Sequence, residues 1–241
     1  MVSRITGQVP TYEPVLKVTN RSCGAYPREQ GVQLFILDSG DSRLHPLPFS
    51  GSPAYAIIFW STYALWAVLE TIGSIFKRSR DRSKALDRGS SRLLWFFMWL
   101  ALALGFTLSF VLPQATMMWK RASVFFVGIT LMLAGVTFRF YAMWVLGRFF
   151  TYDVAVQAGQ TIVEAGPYRH IRHPSYTGAL ITLVGLGLAL GNWAALLVIL
   201  ACMGIAYAYR ITVEEAALVA ALGEPYKQYM RRTRRLVPFL F

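Results

Sequence analysis

Apolar and polar positions fall along this chain in long blocks, not in alternating stripes. Residues 93–112 (LLWFFMWLALALGFTLSFVL) carry no charge, and Pro113 follows directly. Residues 54–76 are interrupted only by Glu70, and residues 122–138 are uncharged, with apolar character continuing past Arg139 to Leu146. The stretch 174–209 runs 36 residues without a formal charge. About 20 apolar residues cross the roughly 30 Å of a bilayer's hydrocarbon, so this last block is too long for one span. Gly191-Asn192 near its middle is a turn signal and predicts a tight hairpin of two short helices. The pattern therefore predicts an all-α integral membrane protein of about five transmembrane helices, near 54–76, 93–112, 122–146, 175–190 and 193–209. Residues 1–53 hold Pro, Gly and Ser throughout and one short apolar run, Leu34 to Leu37. They read as a polar, mostly irregular extension without a signal-peptide pattern, leaving 54–241 as one membrane domain.

Composition agrees: 55% of residues are hydrophobic and the mean hydropathy is +0.44. The net charge of +12 raises nucleic acid as a partner, but its placement follows the positive-inside rule instead. Loop 77–92 holds seven Lys/Arg, 113–121 two, the hairpin tip none, 148–173 three, and the tail from Arg210 onward six. This alternation puts loops 77–92 and 148–173 and the C-terminus together on the cytoplasmic side. The basic patches then serve orientation and contact with anionic membrane lipids, with no nucleic-acid role. Cys23 and Cys202 belong to different levels of the membrane, so neither a disulfide nor a metal site is expected.

Two motifs dissolve on inspection. GLGLALG (Gly185 to Gly191) resembles a nucleotide loop but has no preceding strand; it reads as a helix-packing face, with Gly187 and Gly191 in small-xxx-small spacing. His170 and His173 have no Cys companion and Pro174 follows, which argues against a metal. What remains is a polar cluster at one membrane surface. GPYRHIRHPSYTG (166–178) precedes the hairpin and RITVEE (210–215) follows it, so the hairpin returns both to the same face. Arg210 and Glu214 share one face of a continuing helix, and ionisable groups at that depth are costly unless paired or used.

These residues carry a resemblance. GPYRHIRHPSYTG, a hairpin, RITVEE and then LGEPYKQYMRR are together similar to the isoprenylcysteine carboxyl methyltransferase family, related to the membrane phospholipid methyltransferases. The similarity spans roughly 90–240. It implies S-adenosyl-L-methionine as cofactor and methyl transfer to a lipid-borne or prenylated acceptor on the cytoplasmic face, with a cytoplasmic cofactor-binding loop and C-terminal helix. Carried onto this chain, it implies that Gln160, Thr161, Ile162, Val163, Tyr168, His173, Pro174, Ser175 and Tyr176 hold the cofactor. Arg210, Glu214 and Glu215 are then the catalytic group. Relatives acting on prenylcysteine often have His where Gln160 stands. The host membrane is the cytoplasmic membrane of a bacterium or the endoplasmic reticulum of a eukaryote.

The residue types suit the chemistry. An in-line displacement at a sulfonium methyl depends on positioning. A carboxylate acceptor is already nucleophilic, and Arg210 can grip it through a two-pronged contact while Glu214 fixes Arg210. An amine acceptor would instead need Glu214 or Glu215 to take a proton. Glu70, outside the resemblance, is expected to face another helix or the interface as a structural group. The other readings are a phospholipid amine N-methyltransferase, a sterol-reductase-like NADPH enzyme, and a non-enzymatic membrane scaffold.

Overall fold

A computed structural model describes residues 51–76, 87–157 and 159–236. The N-terminal extension to residue 50 and most of the basic loop after residue 76 lie outside the described residues. Among the described residues six α-helices follow in order: α1 Pro53–Phe76, α2 Ser90–Val111, α3 Arg121–Leu146, α4 Pro174–Leu190, α5 Trp193–Leu222 and α6 Glu224–Arg232. Among the described residues there is no strand, only two isolated bridges, Thr116 to Asn192 and Ile171 to Arg234. The all-α integral membrane class is as expected.

Among the described residues four helices, α1, α2, α3 and α5, are long and apolar enough to cross a membrane; α4 is a shorter apolar helix of 17 residues. The five expected spans thus become four of spanning length and one of about 26 Å at 1.5 Å per residue. Pro174 takes the first helical position of α4 and Gly191 ends it at φ 65°, the left-handed conformation that glycine adopts without cost. Asn192 caps α5 by accepting from the Ala195 N–H at 3.1 Å, and its amide donates to the Leu112 carbonyl at 2.9 Å.

At its other end α5 carries the last span on as the continuing helix that puts Arg210 and Glu214 on one face. It runs 30 residues, well past the span boundary expected at Tyr209. The charge at Arg210 marks where polarity begins, not where the helix stops. Residues 210–222 are mostly good helix formers and contain neither Gly nor Pro before Gly223. Arg210, Glu214 and Glu215 therefore project from a continuous rod.

Packing is tightest between α3 and α4. A Cβ on Gly185 would lie 2.5 Å from the Met132 nitrogen, and one on Gly128 2.5 Å from the Ala189 nitrogen. The two backbones touch, which is how helices associate where lipid offers no hydrophobic gain. Of the GLGLALG glycines, Gly185 thus serves α3 and Gly187 meets Leu196 of α5. Gly191 is the turn and not part of the face expected for it. The core between these helices holds Phe125, Met132, Leu183, Leu186, Leu190, Ile199 and Met203, all buried. Ile57, Val68 and Ile75 of α1 point outward, as do Trp119 just before α3 and Trp144 in its last turn, the two tryptophans in the placement of a membrane-interface belt.

Candidate active site

The segment before α4 is shaped by two devices. Pro167 opens a short 3-10 turn, Gly166–Arg169, that buries Tyr168. Residues 170–173 then pair along the backbone with the chain after α6: Arg172 and His173 donate to the carbonyls of Arg234 and Arg235, and Arg234 donates back to His170. Pro174 starts the helix immediately afterwards, so Ser175 and Tyr176 stand in its first turn. Because α4 and α5 form a hairpin, the late turns of α5 return to that level.

Arg210 is the node where the segments meet. Its Nε donates to the Tyr176 hydroxyl at 2.9 Å, and that hydroxyl donates to Glu214 Oε2 at 2.7 Å. Arg210 and Glu214 are thus coupled through Tyr176. The rest of the guanidinium reaches Ser90 Oγ (3.1 Å), Ser91 Oγ (3.0 Å), Asp87 Oδ1 (3.3 Å) and the Tyr152 carbonyl. Asp87 also accepts from the Ser90 hydroxyl and from the hydroxyl and N–H of Ser91. Burial alone would raise the Asp87 carboxyl, but these hydrogen bonds and Arg210 outweigh it and hold it below the usual carboxylate range.

Around this node lie two spaces. A narrow cleft of about 80 Å³ is lined by Gln160, Thr161, Ile162, Val163, Tyr168, His173, Ser175, Tyr176, Arg210 and Glu214, with Tyr226 and Tyr229 of α6. It gathers most of the expected cofactor and catalytic residues. Pro174 and Glu215 do not line it. Pro174 is buried as the start of α4. Glu215 points to the other side, where it accepts from Arg172 Nε at 2.7 Å and from Arg235 Nε at 3.1 Å and ties the C-terminal segment to the RHPSY stretch. Gln160 turns its side-chain oxygen onto the Gln157 N–H at 2.8 Å. His173 is buried, stacks on Tyr176 at 5.4 Å, and its Nε2 has no hydrogen-bond partner; it lies 3.4 Å from Glu215 Oε1, too poorly aligned to donate. Tyr168 and Tyr229 are pushed up chiefly by burial and stay neutral, with the Tyr229 hydroxyl donating to the Tyr168 carbonyl at 2.7 Å.

The second space is a cavity of about 500 Å³ between α1, α2, α4 and α5, walled by Trp66, Leu94, Trp95, Met98, Ala179 and Leu183, with Arg92, Tyr152 and Tyr207. Tyr207 stacks on Tyr176 at 5.0 Å and Tyr152 is bonded to Arg210, so one layer of side chains separates cavity from cleft. Asp153 lines both. In the cavity wall Glu70 grips Arg139 at 2.5 and 3.0 Å and accepts from the Tyr152 hydroxyl at 3.2 Å. Glu70 thus faces another helix, one of the two surroundings expected for it. The Tyr152 phenol is pushed up to about 12, by burial first and by Glu70 second, against the pull of Arg139.

Sequence reasoning missed Asp87, Tyr152 and Tyr207. Asp87 had a legible signal, an Asp three residues before Ser90 at a helix start. Glu70 and Arg139 were each visible as a lone charge in an apolar block; opposite charges in two spans predict a pair.

Residues 127–220 match the sequence model of the isoprenylcysteine carboxyl methyltransferase (ICMT) family, so the resemblance carried by the RHPSY box and RITVEE is borne out over that stretch. The chain is 33% identical over 109 residues to the protein-S-isoprenylcysteine O-methyltransferase of Schizosaccharomyces pombe, covering 39% of this chain and 46% of that protein. It is 32% identical over 115 residues to protein-S-isoprenylcysteine O-methyltransferase B of Arabidopsis thaliana, covering 47% and 58%. A probable protein-S-isoprenylcysteine O-methyltransferase of Oryza sativa is 29% identical over 119 residues, covering 48% and 62%. The matched segments span about half the length of these curated relatives.

Proposed function

We propose that this chain is a membrane methyltransferase that transfers a methyl group from S-adenosyl-L-methionine to a lipid-borne acceptor, the carboxylate of a prenylcysteine or similar isoprenoid. One observation carries the reading: a cleft rich in hydrogen-bonding groups and a larger, more apolar cavity lie back to back across the Arg210–Tyr176–Tyr152 layer. A water-soluble donor and a greasy acceptor suit two such spaces, with their reacting atoms meeting at about 3–3.5 Å where the spaces adjoin at Asp153.

The groups lining the cleft are of the kinds this cofactor needs, and the cleft must widen beyond its about 80 Å³ to admit it. Tyr168 offers a ring face for an adenine, the backbone of 160–163 offers polar edges, and His173, whose Nδ1 lies 3.8 Å from Glu214 of the cleft, offers a group for the methionine end; Tyr176, stacked on His173 and Tyr207, closes the wall behind them. When bound, S-adenosyl-L-methionine supplies an electrophilic methyl whose departure leaves a neutral thioether. The protein's part is placement. Arg210 fixes the Tyr176 hydroxyl, which holds Glu214 at the cleft wall, and Asp87 with Ser90 and Ser91 fixes Arg210. The cavity takes the isoprenoid chain along Trp66, Trp95 and Leu183, so the acceptor's head is directed at the layer. The loop charges support a cytoplasmic location for this face.

Glu214, with its side chain 30% exposed, also supports a second reading in which it takes a proton from a phospholipid amine. Incubation of the purified protein with methyl-labelled cofactor and either an isoprenoid carboxylate or an amino phospholipid separates the two. A base-labile methyl ester is the expected product. Base-stable label on the amine establishes the alternative, and cofactor binding without transfer to either overturns both.

A further inference from the structure

The cavity contains an arginine that no carboxylate among the described residues neutralises. Among the described residues two cations line this space, Arg139 and Arg92. Arg139 is committed to both oxygens of Glu70 and to the Ser175 carbonyl. Arg210, behind the partition, spends its fork on Tyr176, Ser90, Ser91, Asp87 and Tyr152. A two-pronged grip by Arg210 on an acceptor would first have to break those contacts. Arg172 is likewise held by Glu215, Met230 and Thr233. Arg92 is exposed, and among the described residues no carboxylate pairs with it.

Its position is informative. Arg92 is the third residue of α2, next to Ser91, whose hydroxyl accepts from Arg210 at 3.0 Å. The same helix then gives the cavity Leu94, Trp95 and Met98. Along about 10 Å of α2 the wall therefore changes from a free guanidinium beside the partition to apolar side chains deeper in. That sequence of surfaces is complementary to an amphiphile with an anionic head and an apolar tail.

We propose that Arg92 reads the carboxylate of the acceptor and holds it beside the Ser91–Arg210 layer, while the isoprenoid chain lies on Trp95 and Met98. This rests on the reading of the cavity as the acceptor's site and assigns the ground-state grip to Arg92 instead of Arg210. Arg92 is a specificity-determining residue here: it selects acidic heads over neutral or cationic ones. An anionic lipid headgroup offers the same chemistry, so the test must tell acceptor from bulk lipid.

The experiment measures binding and transfer with N-acetyl-S-farnesyl-cysteine and its carboxamide, on the full chain in neutral detergent and in nanodiscs with and without anionic lipid. Wild type should bind the carboxylate in preference to the carboxamide. Arg92→Gln should lose that preference, with KM raised about tenfold, the scale of one charge-assisted contact, and kcat nearly unchanged; Arg92→Lys should recover part of it. Arg88→Gln, a charge removed from the same basic loop outside the cavity, should leave the preference intact. An unchanged carboxylate preference in Arg92→Gln overturns the proposal, as does an equal loss in Arg88→Gln or a loss confined to anionic nanodiscs. Because the preference is read by binding, it stands apart from turnover. Wild-type protein that binds the carboxylate selectively but transfers no methyl contradicts the proposed function and leaves the role of Arg92 standing.

Discussion

Helices α4 and α1 both lean on α3, and they do so in opposite ways. α4 meets it backbone to backbone, with glycines on both sides where no Cβ fits. α1 meets it through long side chains, Tyr55 stacked on Phe125 at 5.1 Å and Glu70 clasping Arg139. The first contact has no space to yield; the second props the helices apart. The cavity of about 500 Å³ opens on the α1 side, with Trp66 and Glu70 in its wall. The contrast separates a rigid scaffold that positions Ser175 and Tyr176 from a wall that leaves room for a ligand.

The largest effect should come from filling the tight side. Gly185→Leu forces a side chain into the Met132 and Gly128 backbone and should cost about 3 kcal/mol or more, read as loss of a monodisperse folded species in detergent. Gly204→Ala is the counterpart, because nothing lies within 4 Å of the added carbon, and it should fold normally. If Gly185→Leu folds as well as Gly204→Ala, the scaffold claim is wrong.

Next comes the layer between the two spaces. Arg210→Lys keeps the charge and loses the planar fork that joins Tyr176, Ser90, Ser91 and Tyr152. Methyl transfer per folded molecule should fall about 100-fold, equivalent to roughly 2.7 kcal/mol, while cofactor affinity measured by calorimetry changes far less. Wild-type turnover in this variant would remove Arg210 from the reaction. On the α1 side, Glu70→Gln strips Arg139 of its counter-charge. Glu70 is 17% exposed, so the cost should be about 2 kcal/mol, short of the full penalty for a buried unpaired charge. It should appear as a lower thermal midpoint, with turnover per folded molecule largely kept. A folded, fully stable variant without turnover would make Glu70 part of the chemistry.

The smallest effect is on pH dependence. Asp87 titrates below its unfolded value, near 3.9. Its contribution to stability is therefore complete above that value and is lost as pH falls through it toward the folded one. Thermal midpoints of wild type and Asp87→Asn, followed from pH 6 to pH 3, should converge at the acid end. Parallel curves would mean that Asp87 is not the linked group.

Much of this was legible in the sequence. Uncharged blocks located the helices, because every backbone group in hydrocarbon must be satisfied within the segment. The hairpin at Gly191-Asn192 then brought RHPSY and RITVEE to one level. The end of α5 was not legible from hydropathy, which reports where the bilayer stops and not where helical hydrogen bonding stops. The partition was also hidden, since Tyr152 lies in an irregular loop and reaches Arg210 through its carbonyl, a group that every residue carries. The coupling of Arg210 to Glu214 through Tyr176 could be seen only once α4 and α5 were placed side by side.

The central claim is that the cofactor and the acceptor's isoprenoid chain lie on opposite sides of the Arg210–Tyr176–Tyr152 layer, with their reacting groups meeting at its edge. Photo-crosslinking with a diazirine-bearing farnesyl carboxylate, with and without saturating S-adenosylhomocysteine, tests it most directly. Labelled peptides should map to Trp66, Trp95, Met98 or Leu183, at the same yield with S-adenosylhomocysteine present. Labelling at Gln160 to Val163, or labelling abolished by S-adenosylhomocysteine, would place both ligands in one space and contradict the account.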